Sequence, residues 1–336
     1  MKHVFFIHSH TMFLTAMGVI KHLNLNDNDV LFLFYRNYST KIPFRYKVID
    51  CTNEVEKGFY LSFSWSRKNF FVNKELRNEI VSKFDEIVDK NAKEGYFLYV
   101  PTLQTIAYQI LATNSKCEKC FFFQEGGRIM TPIVTDKMGI VWRIYNKLFL
   151  RKETRFWKCL NWFPNKHTPY NKDIIAYAFD KNYFCGVPKE TIVIKWPKFD
   201  VDINIDPSYP IFLLEGAVEL GQCEKVIYVD GFKKLVNQFA GPRNYIKFHT
   251  IQSNEIKELY MNIFKEKGLE IEQLPMDIPF ELVLAKYQRL KLCGFGTSLL
   301  FYGKAMGHEV HSRESYLLKS PRYRMYCKGL SKLREE

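Results

Sequence analysis

The feature that most limits the fold is the alternation of short, unbroken apolar runs with helical periods. Val4 to Ile7 is apolar without interruption and stops at His8. Runs of the same kind occupy 29–34, 96–100 and 119–123, and helical stretches lie near 11–23, 73–92 and 102–115. Strands that are apolar throughout, not at every second position, are buried on both faces, which a parallel sheet covered by helices provides. The pattern restarts after residue 205, with strands predicted at 210–214, 225–229, 244–248, 269–274 and 290–293. A short helix is expected over 232–239. Ser253 or Asn254 should cap another, in which Ile256, Leu259, Tyr260, Ile263 and Phe264 share a face and Gly268 is the stop. A third opens at Pro279 and a fourth at Leu299.

The expected fold is therefore α/β, with two Rossmann-like β/α/β domains facing a cleft. The domains are read as 1–130 and 206–312, joined by an insert or linker over 131–205 and followed by a basic helix or tail over 313–336. With 336 residues and 47% hydrophobic composition, there is ample material for two cores. No internal repeat is present, and no stretch of 18 apolar residues suggests a membrane-spanning helix.

The eight cysteines are scattered, and Cys117 and Cys120, a lone C-x-x-C, read as reduced thiols near a strand edge. The four apolar residues from Val4 to Ile7 are too few for the apolar region of a secretory leader, so the chain is expected to be intracellular. The formal charge of +13 calls for an anionic partner but does not choose among nucleotide, glycan, membrane and nucleic acid.

Ligands of open α/β sheets sit beyond the carboxyl ends of the strands. Polar residues directly after predicted strands are therefore the candidates. Glu125 follows Phe121-Phe-Phe-Gln and precedes Gly126 and Gly127, where a second molecule can approach the backbone; a carboxylate there suits a general base. Lys247 and His249 end another strand and suit a phosphate, with Arg243 adding charge. Gly294-Phe-Gly296-Thr297-Ser298 opens a helix with free amides and two hydroxyls, an anion cradle without the lysine of a nucleotide P-loop. Glu281, in the first turn after Pro279, could accept from ribose hydroxyls. No metal ligand set is proposed.

A phosphate pocket in one half and a base across the cleft in the other is the layout of a GT-B type glycosyltransferase. The series Glu125-Gly126, Lys247-x-His249, Pro279-x-Glu281 and Gly296-Thr297-Ser298 resembles that of bacterial CMP-sialic acid-dependent sialyltransferases, of the lipooligosaccharide sialyltransferase and capsular polysialyltransferase type. Those families read Asp/Glu-Asp/Glu-Gly, His-Pro and Ser-Ser/Thr at the matching motifs; here Gln124, Thr250 and Thr297 stand at three of those positions. The opening Val4 to Ser9, followed by a helix, is similar too, and only 131–205 matches nothing.

The resemblance implies an inverting, metal-independent transferase that moves sialic acid or a related nonulosonic acid from a CMP-sugar to a glycan hydroxyl. Glu125 would be the base, His249 the stabiliser of the leaving phosphate, and Lys247, Glu281, Gly296, Thr297 and Ser298 the nucleotide contacts. Ser9, His10 and Arg128 would face the acceptor. No cofactor beyond the donor substrate is implied. The main rival is a CMP-Kdo transferase, which would use the same leaving group, or another sugar-nucleotide transferase.

Residues 137–166 set eight Lys and Arg against Glu153, interleaved with Trp142, Trp157, Trp162 and several Phe and Leu. Such a stretch fits an anionic membrane surface, hence a bacterial cytoplasmic enzyme peripheral to the inner face of its membrane. A nucleic-acid-binding protein shares the charge, but no helix-turn-helix, zinc-finger or RNP pattern is present, so nucleic acid is not an expected partner. A glycan-binding protein without catalysis would need no base.

Overall fold

The computed structural model describes residues 1–40, 42–63, 74–103, 105–126, 175–184, 188–199 and 201–327. These fall into two compact units, the first made of residues up to 125 together with 175–197, the second continuing from 198.

The first unit is a parallel sheet in the order β3-β2-β1-β4-β5-β6-β7. Its strands are β1 (Lys2–Ile7), β2 (Val30–Phe34), β3 (Lys47–Asp50), β4 (Tyr96–Val100), β5 (Cys117–Phe123), β6 (Ile175–Ala178) and β7 (Glu190–Val193). Helices α1 (His10–Leu23), α2 (Thr52–Phe63), α3 (Lys74–Asn91) and α4 (Ile106–Ala112) connect them. Every residue of β2 is buried, and in β1 only Lys2 and His3 are not, as strands covered on both faces require. The core beneath α2 to α4 gathers Phe6, Tyr35, Phe84, Tyr96 and Tyr108.

Register carries the site. Phe5 pairs with Tyr99 and Tyr99 with Phe121, so His8, directly after β1, and Gln124, directly after β5, leave the sheet at the same level, three residues further on. Ile7 pairs with Phe34, which brings out Tyr35 beside His8. All the strands are parallel, so all these exits share one edge.

The second unit repeats the scheme with β10-β9-β8-β11-β12. The strands are β8 (Ile211–Leu213), β9 (Arg243–Lys247), β10 (Glu270–Gln273), β11 (Lys291–Gly294) and β12 (Glu309–Ser312). Its helices are α5 (Lys225–Phe239), α6 (Asn254–Lys265), α7 (Phe280–Lys286) and α8 (Ser298–Ala305). In each sheet the first strand lies between the second and the fourth, the Rossmann order, so the chain reverses direction beside β1 and beside β8. The expected class, two Rossmann-like α/β domains, is the observed one.

Three expectations are corrected. The predicted strand at 225–229 is the first turn and a half of α5. Val226 is 80% exposed while Tyr228, Phe232, Leu235 and Val236 are buried, so the apolar run is a helical stripe and not a sheet-filling segment. The stretch 131–205 is not all linker, because β6 and β7 complete the first sheet. Each has four residues, and β7 is a half-exposed edge, so neither shows a long apolar run. From 201 the chain belongs to the second unit, where Lys286 Nζ donates to Val201 O (2.9 Å) and Tyr287 hydroxyl to Ile203 O (2.9 Å). Finally, the described part of the tail is not appended to the second unit but built into it: Leu317 and Tyr323 sit in its core.

Candidate functional site

At the carboxyl edge of the first sheet, Glu125 meets His8. Glu125 Oε1 is 3.0 Å from His8 Nε2; the carboxylate side chain is 29% exposed and the imidazole 6%. The His8 ring stacks on Tyr35 at 4.7 Å, nearly parallel, and its Nδ1 faces the Met12 thioether at 2.6 Å. The Tyr35 and Tyr108 hydroxyls pair behind the stack. Burial pushes both phenols far above their ordinary range, so they act as neutral hydroxyls.

Gln124 points inward and is 2% exposed. Its Oε1 accepts from Phe179 N (2.8 Å), its main-chain oxygen from the Thr15 hydroxyl (3.0 Å), and its N–H donates to Tyr177 O (3.0 Å). It ties β5 to β6 and α1. An amide satisfies this pocket without burying a charge. Tyr183 hydroxyl accepts from Glu125 N (3.2 Å), fixing the next residue.

Ser9 caps α1, its hydroxyl accepting from Met12 N at 3.3 Å, and His10 Nδ1 lies 3.0 Å from Tyr38 hydroxyl. Gly127, Arg128 and the basic aromatic segment 137–166 lie outside the described residues. The cysteines of the C-x-x-C are unpaired with each other, and burial pushes the Cys117 thiol up to about 12 and Cys120 well above its ordinary value. Thiols so protonated are poor nucleophiles and ligands.

The second sheet gathers its polar groups around the reversal between β8 and β11. Glu215 and Gly216 follow β8, His249 follows β9, and Gly296, Thr297 and Ser298 follow β11. Gly296 N donates to Glu215 Oε2 at 3.2 Å, so this turn already presents an amide to an anion. Thr297 is the N-cap of α8, its hydroxyl accepting from Leu299 N (3.4 Å).

The main chain at Gly216 runs close to this loop: a Cβ there would stand 2.3 Å from Ile251 Cδ1 and 3.3 Å from His249 Nδ1. The chain passes directly beneath the histidine. His249 Nδ1 accepts from Ile251 N at 3.3 Å, and the His249 main-chain N–H donates to Gln252 Oε1 at 2.8 Å. In the neutral ring the proton therefore sits on Nε2. Burial of the ring's inner side lowers its pKa, although the residue as a whole stays exposed.

Two expected nucleotide contacts are placed differently. Lys247 is buried, and its ammonium donates to Pro275 O and to Ile278 O (3.3 Å), holding the loop that leads into α7. Glu281 is 6% exposed, and its charge acts on Lys247. A buried lysine with carbonyl partners braces this corner and does not reach for a phosphate. Arg243 starts β9, at the opposite end of the strand from His249, where it pairs with Glu270 (2.9 Å). Glu215 was missed; its signal is visible in retrospect, since Leu213-Leu214-Glu215-Gly216 repeats the apolar-run-then-Glu-Gly pattern of Phe123-Gln124-Glu125-Gly126.

The Lys247 environment has a measurable consequence. Burial lowers its pKa to about 8, only partly offset by Glu281 and Asp277. In the unfolded chain it returns to about 10.4. The unfolded state then binds more protons between those values, so this residue's contribution to stability rises with pH, by an amount on the order of 3 kcal/mol. Urea unfolding of the wild type and of Lys247→Met from pH 7 to 10 should diverge with that sign; parallel curves would show the ammonium to be solvated.

Among the described residues no three His, Cys, Asp or Glu side chains cluster as a metal site. Nor, among them, is any helix long and apolar enough to cross a membrane.

No protein-family model and no curated protein matches the sequence. Among solved structures the chain is similar to Anabaena HepE in complex with UDP, with a TM-score of 0.41 and 12% identity over 93% of this chain and 80% of that one. It is also similar to α,α-trehalose 6-phosphate synthase from Burkholderia multivorans, with a TM-score of 0.43 and 10% identity over 99% and 95% of the two chains.

Proposed function

We propose that this protein is an inverting GT-B type glycosyltransferase. It moves sialic acid or a related nonulosonic acid from a CMP-sugar to a hydroxyl of a cell-surface glycan such as lipooligosaccharide or capsule. The observation that carries the reading is Glu125 itself: a partly exposed carboxylate at a strand's carboxyl end, held by an imidazole on one oxygen. The donor-rich edge of the second unit complements it. His249 offers an Nε2–H, and the turn into α8 offers the hydroxyls of Thr297 and Ser298.

In the proposed reaction the acceptor hydroxyl gives its proton to Glu125 as its oxygen bonds to the anomeric carbon from the face opposite the phosphate. The bond from that carbon to the cytidylate oxygen breaks, and the electron pair stays on the phosphate. His249, with Thr297 and Ser298, meets the charge that develops there. A monophosphate leaving group needs less neutralisation than a diphosphate, which suits a site built from neutral donors. The acceptor is proposed to lie against Ser9, His10 and Arg128, with 137–166 bringing the enzyme to a lipid-linked acceptor at an anionic membrane surface.

The test is thermal protection by a panel of CMP, CMP-sialic acid, CMP-Kdo, UDP and UDP-sugars. A ligand at about 100 times its Kd adds about 2.7 kcal/mol of stability. CMP and CMP-sialic acid should protect, with protection lost in Thr297→Val. Protection by uridine ligands alone would refute the donor assignment.

A further inference from the structure

We propose that His8 is the positioning residue of the Glu125 base, an inference that rests on the function just proposed and deepens it. Glu125 and His8 touch at 3.0 Å, and two roles are open to such a pair: either group could meet the substrate while the other orients it. Burial decides. The imidazole side chain is 6% exposed and the carboxylate 29%, so the carboxylate stands in front and the ring behind it.

The ring is also held as an orienting group should be. Tyr35 covers one face at 4.7 Å with planes 7° apart, and Met12 Sδ stands at Nδ1. Tyr35 is itself fixed through its hydroxyl to buried Tyr108. The main chain under Glu125 is pinned independently, by Tyr183 at Glu125 N and by the three bonds of Gln124. With the backbone fixed, the remaining freedom of the carboxylate is rotation about its own side-chain bonds, and the Nε2–H bond to Oε1 removes it. Oε2 is then aimed to take the acceptor's proton, and His8 serves only as a hydrogen-bond partner to Oε1. Preorganisation of this kind acts on the rate of the chemical step and not on substrate affinity.

Two measurements test this. With CMP-N-acetylneuraminic acid and a lactosyl acceptor as probes, His8→Ala should lower kcat by about 10–100-fold with KM for both substrates unchanged. His8→Gln, whose amide N–H reaches the same carboxylate oxygen, should recover much of the loss. If His8 were the base, His8→Gln would be as inactive as His8→Ala, and that result overturns the assignment; so does full activity in His8→Ala.

The second measurement needs no turnover. In 15N-histidine-labelled protein, Glu125→Gln should shift the His8 ring resonances and leave those of buried His308 in place. Unmoved His8 resonances overturn the pairing whatever the activity. A shifted His8 in a wild type that transfers from no CMP-sugar would overturn the functional reading, and the catalytic role with it, while the pair itself stood.

Discussion

Replacing Glu125 by glutamine lowers transfer by about 10²–10⁴-fold, the range expected when a general base is removed. The substitution is close to isosteric and keeps an oxygen for His8 Nε2–H, so the imidazole stays satisfied. The contact that fixes the main chain here, Glu125 N to Tyr183 hydroxyl, does not involve the side chain. Since the carboxylate is partly exposed, no buried charge is created or removed. The thermal midpoint should therefore stay near the wild-type value while kcat falls. Protection by CMP should also be retained, because the proposed nucleotide contacts, His249, Gly296, Thr297 and Ser298, all belong to the second sheet. The three readouts separate the base from everything else: lost protection would mean a nucleotide contact, a lowered midpoint a structural acid. Near-full transfer by Glu125→Gln would end the base assignment.

The parts of the fold that could be read from the chain are those where one local signal suffices. Strand β2 is five buried apolar residues in a row, and α6 announces itself by a serine cap and a four-residue buried stripe. The parts that could not be read are those whose signal is tertiary. Lys225 to Val229 is β-branched and apolar enough to pass for a strand, and only the packing of Tyr228, Phe232 and Leu235 on the second core makes it a helix. Strands β6 and β7 are too short to be seen before β5 offers them an edge.

The same division holds in the site. Glu125 and His249 were legible because a polar residue right after a strand of known type must sit at the sheet's carboxyl edge. His8 ends the first apolar run but was not picked out as a site residue, because its partner was not visible. The pairing depends on the register of β1, β4 and β5, three strands that no local pattern aligns. The surroundings of Lys247 were hidden for a related reason: a lysine at a strand end looks exposed until the loop from Pro275 to Ile278 folds over it.

His249 leads to the second large effect. His249→Ala should reduce transfer by about 10²–10⁴-fold, because it deletes a donor aimed at charge that forms only in the transition state. The donor does not depend on a positive ring. Nδ1 accepts from Ile251 N at 3.3 Å, so the neutral ring already carries its proton on Nε2. Burial lowers the pKa from 6.5, which keeps the ring neutral at pH 7. The sign follows. Raising the pH above neutrality removes nothing from Nε2, so His249 should impose no alkaline decline on kcat. Lowering the pH through the ring's pKa adds a proton at Nδ1, which costs the bond from Ile251 and disturbs the turn over Gly216. A kcat profile from pH 6 to 8.5 distinguishes this from an imidazolium donor, whose activity would fall as the pH rises through the pKa. His249→Gln, able to donate from a similar position but unable to titrate there, should keep part of the rate and lose the acidic decline. An activity that drops steadily from pH 6 to 8.5 in the wild type, and not in His249→Gln, would show that the leaving phosphate is met by charge and not by a neutral hydrogen bond.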